Sequence, residues 1–239
     1  MIHSTSRAIL ILECPWDLDD SDANRSSVLP FIEGIAKYAG DTAVFHANFY
    51  DTSSFEQALD YLCKVKFNAA VIYVAAHGYK KKIGNVNIST VLAKIGVRSK
   101  KFNISGIMLG SCFVGENTQE IINLMEGTNV KWCAGYSSSP EWLTGTMIDS
   151  SIISAMLQLE DEDYQNRDLI IKQFANSIAP FSEYYPIAEN YKKNETGLNN
   201  SIEFVCQPNG KGSRAKKCTE EVFSAYKNFQ SVRANSSCN

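Results

Sequence analysis

Two hydrophobic patterns alternate along the chain, and together they predict its secondary structure. Short apolar runs are typical of strands buried on both faces, whereas apolar residues repeated every three or four positions are typical of helices that cover a sheet. The apolar runs predict five strands, at 8–14, 42–49, 69–76, 104–110 and 130–135. The second pattern predicts five helices, at about 27–38, 51–62, 89–95, 117–125 and 146–159.

Strands that alternate with helices predict an α/β fold, because a crossover helix joins two parallel strands. We expect a mainly parallel central sheet of about six strands with helices on both faces, in which the third and fourth strands lie centrally. After residue 160 the pattern weakens, and it predicts a helix at 169–178, an exposed polar stretch at 191–201, a sixth strand at 202–206 and a final helix at 219–229. We therefore predict one domain over 1–239, with a core at 8–159 and an elaboration at 160–239.

The composition argues against several classes of protein. A formal net charge of -3 and an isoelectric point near 5.7 disfavour a general affinity for nucleic acid or for an anionic membrane. The apolar run at 8–12 is too short for a signal peptide or a membrane span, so we expect a cytoplasmic protein without membrane insertion. The seven cysteines are scattered and odd in number, which disfavours a disulfide framework. His and Cys also lack the close pairing of a zinc site, so we expect no metal and no cofactor.

Two of the predicted central strands end beside reactive side chains. The third strand is followed by His77 and Gly78, and the fourth is followed by Ser111 and Cys112. Because the carboxyl ends of neighbouring parallel strands meet at one edge of a sheet, we expect the imidazole and the thiol at the same rim. This pair predicts nucleophilic catalysis, with Cys112 as the nucleophile and His77 as the base that manages its proton.

The same residues offer donors for a developing oxyanion. Gly78 has no side chain to cover its amide N–H, and the amide of Cys112 is the second donor. The basic segment at 79–87, which follows Gly78, contains Gly84 and Asn85 and predicts a small solvated hairpin outside the main sheet.

The succession of hydrophobic block, His-Gly, hydrophobic block, small residue and Cys resembles the signature of clan CD cysteine peptidases. This group includes caspases, metacaspases, separase, gingipains and the bacterial CHAT proteins, and the chain is most similar to the CHAT-like group over residues 8–159. The resemblance implies a caspase-like fold and an endopeptidase in which Cys112 forms an acyl-enzyme and His77 is the base or acid. It also implies a protein substrate, an upstream activating protein or second messenger, and a role in bacterial defence or programmed cell death.

The sequence departs from the family at the positions that set specificity. The segment 110–114 lacks the Gln and the following Gly of the caspase pentapeptide, and Gly110 stands where metacaspases have Asp. Specificity for Asp therefore does not carry over to this chain.

Other residues are left to select a substrate. Glu13 and Asp17, at the end of the first strand, predict an acidic pocket for a basic side chain. The family likeness suggests that the substrate lies as an added strand along 132–142, which resembles an edge strand and its following loop, where Tyr136 and Ser137 would contact it. Asp149, within the apolar helix at 146–159, is either a buried partner of a loop amide or part of the substrate rim.

A non-catalytic caspase-like module is the alternative function. Such a module would use the same rim and the basic hairpin to bind a nucleotide or protein signal. An α/β hydrolase is disfavoured, because the chain contains no Gly-x-Ser-x-Gly motif.

Overall fold

A computed structural model describes residues 5–16, 26–210 and 212–236 of the chain. In chain order the strands are β1 (Arg7–Glu13), β2 (Thr42–Asn48), β3 (Ala69–Ala75), β4 (Gly78–Tyr79), β5 (Lys82–Ile83), β6 (Val86–Asn87), β7 (Ile104–Gly110), β8 (Trp132–Tyr136), β9 (Ser139–Pro140), β10 (Pro186–Glu189), β11 (Glu195–Gly197), β12 (Ile202–Cys206) and β13 (Lys216–Lys217). The helices are α1 (Leu29–Ala39), α2 (Thr52–Leu62), α3 (Ile88–Phe102), α4 (Thr118–Met125), α5 (Trp142–Met156), α6 (Arg167–Ile178) and α7 (Thr219–Ser236).

Seven strands form the central sheet, in the order β13-β12-β8-β7-β3-β1-β2. The strands from β8 to β2 in this order pair in parallel, whereas β12 is antiparallel to β8 and β13 is antiparallel to β12. The α/β class and the central position of β3 and β7 are confirmed. Because β2 and β3 lie on opposite sides of β1, the strand order reverses there, and the carboxyl ends of β1 and β3 frame a crevice.

Alternate residues of each strand enter two separate cores, one on each face of the sheet. The first core packs Ile11, Tyr73 and Met108 against α1, α5, α6 and α7. The second packs Leu12 and Val74 against α2, α3 and α4. Helices therefore cover both faces, which is what near-continuous apolar strands require.

Local capping explains where two of these helices begin. The Asp51 carboxylate accepts a hydrogen bond from the Ser54 amide, and the Ser54 side chain bonds back to the Asp51 backbone, so a capping box precedes α2. The Glu141 carboxylate accepts hydrogen bonds from the amides of Leu143 and Thr144 and so caps the start of α5. This second cap fixes the start of the helix that carries Asp149.

Two small antiparallel sheets flank the carboxyl edge of the central sheet. The first, β4-β5-β6, follows His77 and confirms the predicted hairpin, to which it adds a third strand. The second, β11-β10-β9, was not predicted. The prediction of an exposed stretch at 191–201 is wrong at its carboxyl end, because Leu198 and Ser201 are buried and Leu198 packs in the first core.

The region after residue 160 belongs to the core of the fold. The predicted sixth strand is β12, and it covers the outer side of β8 along five residue pairs. The expectation that 132–142 presents an open edge is therefore wrong for β8, since β8 has a partner strand on both sides. Among the helices of the described ranges, none combines the length and the apolar character needed to cross a membrane.

Candidate active site

His77 and Cys112 occupy equivalent positions after two neighbouring strands. Ala75 of β3 is aligned with Gly110 of β7, and each reactive residue follows two positions later. The two chain segments touch at Gly78, where a Cβ atom would lie 2.1 Å from the carbonyl oxygen of Cys112. Only glycine permits this approach, so the residue after His77 sets how closely the two segments can meet.

The ring of His77 is oriented by a residue that the sequence did not single out. Its Nε2 atom lies 2.9 Å from the backbone carbonyl oxygen of Trp16, and the Trp16 and His77 rings meet edge to face at 4.8 Å between centroids. A carbonyl oxygen can only accept a hydrogen bond, so Nε2 carries the hydrogen of the neutral ring. The lone pair is then on Nδ1, which is the nitrogen available to take a proton.

Cys112 is partly buried at the rim, and its sulfur has a hydroxyl neighbour. The Ser139 Oγ atom donates a hydrogen bond to Cys112 Sγ over 3.3 Å. Ser139 begins β9, so the small unpredicted sheet starts directly beside the thiol. Sequence reasoning missed Ser139 because three consecutive serines at 137–139 give no reason to choose one of them.

The turn after the thiol has an unusual backbone conformation that is held from outside. Phe113 has a φ of 62°, which lies in the left-handed region and costs a non-glycine residue about 1 kcal/mol. Its amide donates to the Ser138 carbonyl over 2.9 Å, and its ring stacks on Tyr191 with 3.9 Å between centroids. The Tyr191 hydroxyl in turn donates to Glu116 Oε1 over 2.6 Å. The segment between β10 and β11 thus holds the nucleophile turn in place.

The hydrogen bonding of the β4-β5 hairpin leaves one amide directed away from it. The Gly84 amide donates to the His77 carbonyl over 2.6 Å, which makes these two residues a hydrogen-bonded pair. Bonded and non-bonded pairs alternate in an antiparallel ladder, so the next pair, Gly78 with Ile83, is a non-bonded one. The Gly78 amide therefore points away from β5.

A cavity of about 160 Å³ opens between the reactive pair and α5. His77 and Cys112 line its mouth, and the residues that complete its wall and floor are Trp16, Tyr73, Gly110, Tyr136, Ser139, Pro140, Glu141, Trp142, Gly145, Thr146 and Asp149. Part of this cavity has a signal in the sequence, since Tyr73 and Asp149 are polar residues inside otherwise apolar elements.

Asp149 is buried at the floor of this cavity and carries two hydrogen bonds. The Tyr73 hydroxyl donates to its Oδ2 atom and the Tyr136 hydroxyl to its Oδ1 atom, each over 2.7 Å. Burial raises the pKa of Asp149 from 3.8 to about 7, although the two tyrosine hydrogen bonds act in the opposite direction. Burial and the nearby carboxylate raise the pKa of both tyrosines, so their hydroxyls remain donors.

The prediction that Glu13 forms an acidic pocket for substrate at the end of β1 is wrong. The Glu13 carboxylate is buried and accepts hydrogen bonds from Ser27 Oγ and the Val28 amide, and it pairs with His46 Nε2 at 2.8 Å. Glu13 therefore ties the start of α1 to β2 and does not line the cavity. The other predicted member, Asp17, lies outside the described residues.

The two residues expected to contact substrate along 132–142 have different surroundings. Tyr136 lines the cavity, whereas the Ser137 amide donates to the Ser201 carbonyl over 2.8 Å and the Ser137 hydroxyl to the Asn200 carbonyl over 3.4 Å. Ser137 therefore joins β8 to the segment before β12 and is not part of the cavity wall.

Within the described ranges, no group of three or more His, Cys, Asp or Glu side chains is arranged to hold a metal ion. Comparison of the chain with models of known protein families finds no match, and no curated protein sequence is significantly similar to it.

Proposed function

We propose that the protein is a caspase-like cysteine endopeptidase that uses Cys112 and His77. The observation that supports it most is the register of β3 and β7, which places an imidazole and a thiol two residues beyond aligned strand ends. A hydrogen bond from His77 Nε2 to Trp16 leaves Nδ1 free to act as the base. Two central strands of the sheet hold both groups at one rim, and a cavity lies beside them.

The reaction would proceed in two steps through a thioester. His77 takes the thiol proton, and Cys112 Sγ attacks the scissile carbonyl carbon, so a C–S bond forms and the carbonyl becomes an oxyanion. The tetrahedral intermediate collapses when the C–N bond breaks and His77 returns the proton to the leaving amine. Water then attacks the thioester with His77 again as the base, which releases a carboxylic acid and regenerates the Cys112 thiol.

The oxyanion would be bound by backbone amides. The Gly78 amide points away from β5, and the Cys112 amide lies on the segment that Gly78 contacts. Two N–H donors fixed by neighbouring strands stabilise the negative charge without reorganising during the reaction. Such preorganised donors contribute a large part of the rate enhancement in acyl transfer.

The substrate would lie as an added strand on β9. In the described part of the chain, β9 is the end strand of the sheet β11-β10-β9, so its second side has no partner strand. The first residue of β9, Ser139, contacts the Cys112 sulfur, so a peptide paired with this side would pass the nucleophile. This replaces β8, which has no open edge.

We also place the activity in the cytosol, with a partner protein as substrate. Six described cysteines are free thiols, which is typical of proteins in a reducing compartment. Control by an upstream protein or second messenger, and a role in defence or programmed cell death, are supported by the family resemblance alone.

The test is cleavage of a mixture-based peptide library by the purified chain, followed by mass spectrometry. We expect Cys112→Ala and His77→Ala each to lower the rate at least about 10³-fold without a change in the circular dichroism spectrum, because each removes one member of the reacting pair. Cys14→Ala is the matched control, since Cys14 is the other partly exposed thiol of the described chain, and we expect it to retain activity.

Cleavage that persists in Cys112→Ala contradicts the proposal. Iodoacetamide labelling addresses the alternative of a non-catalytic binding module. A Cys112 thiol that reacts no faster than Cys14 would favour that alternative, because a catalytic thiol is selectively reactive.

A further inference from the structure

The cavity beside Cys112 has a carboxylate, that of Asp149, at its floor. Asp149 is 2% exposed, and among the described residues that line the cavity the other carboxylate is that of Glu141. Glu141, at the mouth, accepts hydrogen bonds from the amides of Leu143 and Thr144 and from the Thr144 hydroxyl. A ligand that reaches the cavity floor would therefore interact with the Asp149 carboxylate.

The surroundings hold the Asp149 carboxylate in one orientation. Tyr73 comes from β3 and Tyr136 from β8, and each donates to a different oxygen, so the carboxylate is fixed by two strands. Gly110 of β7, which lies between these strands, leaves the necessary space, because a Cβ atom there would be 2.5 Å from Asp149 Oδ2 and 2.6 Å from the Tyr73 ring. Each carboxylate oxygen retains acceptor capacity after its one hydrogen bond.

The walls of the cavity are aromatic. The side chains of Trp16 and Trp142 line it, together with the rings of the two tyrosines. The indole N–H groups of Trp16 and Trp142 are buried without a hydrogen-bond partner among the described residues, and the carbon atoms of the two rings offer apolar surface to what enters. Aromatic faces accept methylene groups and attract cations.

The volume matches a long side chain. A cavity of about 160 Å³ is similar in volume to an apolar cavity of about 150 Å³ that binds benzene, and a lysine side chain has five heavy atoms where benzene has six. His77 and Cys112 line the mouth, so a side chain that fills the cavity belongs to the residue whose carbonyl carbon faces the thiol.

We propose that this cavity binds the cationic side chain, lysine or arginine, of the residue that supplies the scissile carbonyl. The inference rests on the proposed peptidase function and adds its substrate class. The methylene groups of the side chain pack between the indoles, and the cation reaches Asp149 at the floor, as amphipathic side chains do elsewhere. Tyr73 and Tyr136 are positioning residues that act through Asp149.

Other occupants fit these features less well. An acidic side chain would meet a carboxylate in a buried site, where like charges repel strongly. An apolar side chain of the same length would pack between the aromatic walls but leave Asp149 buried without a counter-ion. A bound cation instead favours the charged form of Asp149, whose pKa is raised to about 7 by burial.

The experiment measures kcat/KM on two pairs of peptides that differ only at the residue before the scissile bond. One pair compares lysine with 2-aminoheptanoic acid, whose pentyl side chain has the same number of heavy atoms, and the other compares arginine with citrulline, so each pair removes the charge and keeps the length. We expect the cationic peptide to be preferred about 100-fold or more in each pair. In Asp149→Asn, which has the same shape without the charge, we expect the preference to fall to a few-fold.

Glu183→Gln is the control, because Glu183 is a buried carboxylate remote from the cavity, and we expect it to retain the preference. If Asp149→Asn does not fold, Tyr136→Phe serves instead. It removes one donor from Asp149, and we expect a selective fall in kcat/KM for the cationic peptides.

The outcomes separate this inference from the proposed function. Cys112-dependent cleavage without a preference for cationic peptides, or a preference that survives in Asp149→Asn, overturns the inference and leaves the peptidase standing. Absence of any Cys112-dependent cleavage of the four peptides and of the peptide library overturns both.

Discussion

At the scale of the residue, Asp149 is the position where function and stability oppose each other. A carboxyl group that ionises more easily in the unfolded chain than in the fold binds more protons in the folded state between the two pKa values. For Asp149 these values are the ordinary 3.8 and about 7 in the fold. The unfolding free energy should therefore fall as the pH rises from about 4 to about 7, and it should stay lower above that range.

Because the unfolding free energy falls as Asp149 ionises, we predict that Asp149→Asn stabilises the protein at pH 8. A shift of about three pKa units corresponds to at most about 4 kcal/mol, which the uncharged side chain would restore. Urea denaturation at pH 8 and at pH 4 measures the effect, and we expect the difference between the variant and the parent chain to be far smaller at pH 4. Asp168→Asn is the control, since Asp168 is an exposed aspartate in the first turn of α6 and should not gain stability. Equal unfolding free energies at pH 8 would contradict a buried charge at Asp149.

Some residues of the candidate site could be predicted from the sequence, and others could not. His77 and Cys112 were predictable because each ends an apolar run, and the parallel pairing of their strands follows from the alternation of elements. Asp149 was recognised only as a charge inside an apolar helix, since the contact with Tyr73 joins positions 76 residues apart in the chain. Glu13 was assigned wrongly, because strand position does not reveal that Val28 and His46 occupy its carboxylate.

At the scale of the element, the hairpin of β10 and β11 supports the nucleophile turn. Phe113 keeps its left-handed backbone under the stacked ring of Tyr191, and Tyr191 is half exposed, so the stack is not needed to fill the core. A strained residue next to a nucleophile persists only where neighbours hold it.

We therefore predict that Tyr191→Ala lowers kcat about tenfold or more and leaves KM nearly unchanged, because the substrate contacts remain while Cys112 shifts. Tyr191→Phe keeps the ring and should retain most of the activity. Peptide cleavage kinetics give both constants, and Tyr185→Ala is a matched control, since Tyr185 is exposed and precedes β10. A rise in KM with kcat unchanged would assign Tyr191 to substrate binding and contradict a positioning role.

The hairpin itself was not predictable from local sequence. β10 and β11 have four and three residues and begin with Pro186 and Glu195, and β10 pairs with the two-residue strand β9, so no alternation of apolar and polar positions develops. The strands β1, β3 and β7 each have seven residues that are mostly buried, and their apolar runs were sufficient. Pairing between distant short strands is a tertiary effect, which a pattern along the chain does not contain.

At the scale of the whole molecule, the region after residue 160 completes the sheet that carries the site. β12 pairs with β8, and a line of aromatic rings crosses from the sheet into the helices that cover it. Trp132 meets Phe174 of α6 at 5.9 Å between centroids, and Phe174 meets Phe204 of β12 at 4.6 Å. The division into a core at 8–159 and an elaboration at 160–239 therefore does not describe how the hydrophobic core is built.

We predict that a chain ending at Glu160 does not fold. Such a chain would expose the hydrogen-bonding edge of β8 and the apolar surface that α6 and α7 bury, and an exposed strand edge beside apolar surface promotes aggregation. Thermal unfolding by circular dichroism should show no cooperative transition, and the protein should bind a hydrophobic dye. A chain ending at Gln230 is the control, because it retains the hydrogen bonds of Tyr226 and Gln230 to the segment after α6. If the shorter chain unfolded cooperatively and kept Cys112-dependent cleavage, residues 161–230 would be dispensable for the sheet, and the single core inferred from the aromatic line would be wrong.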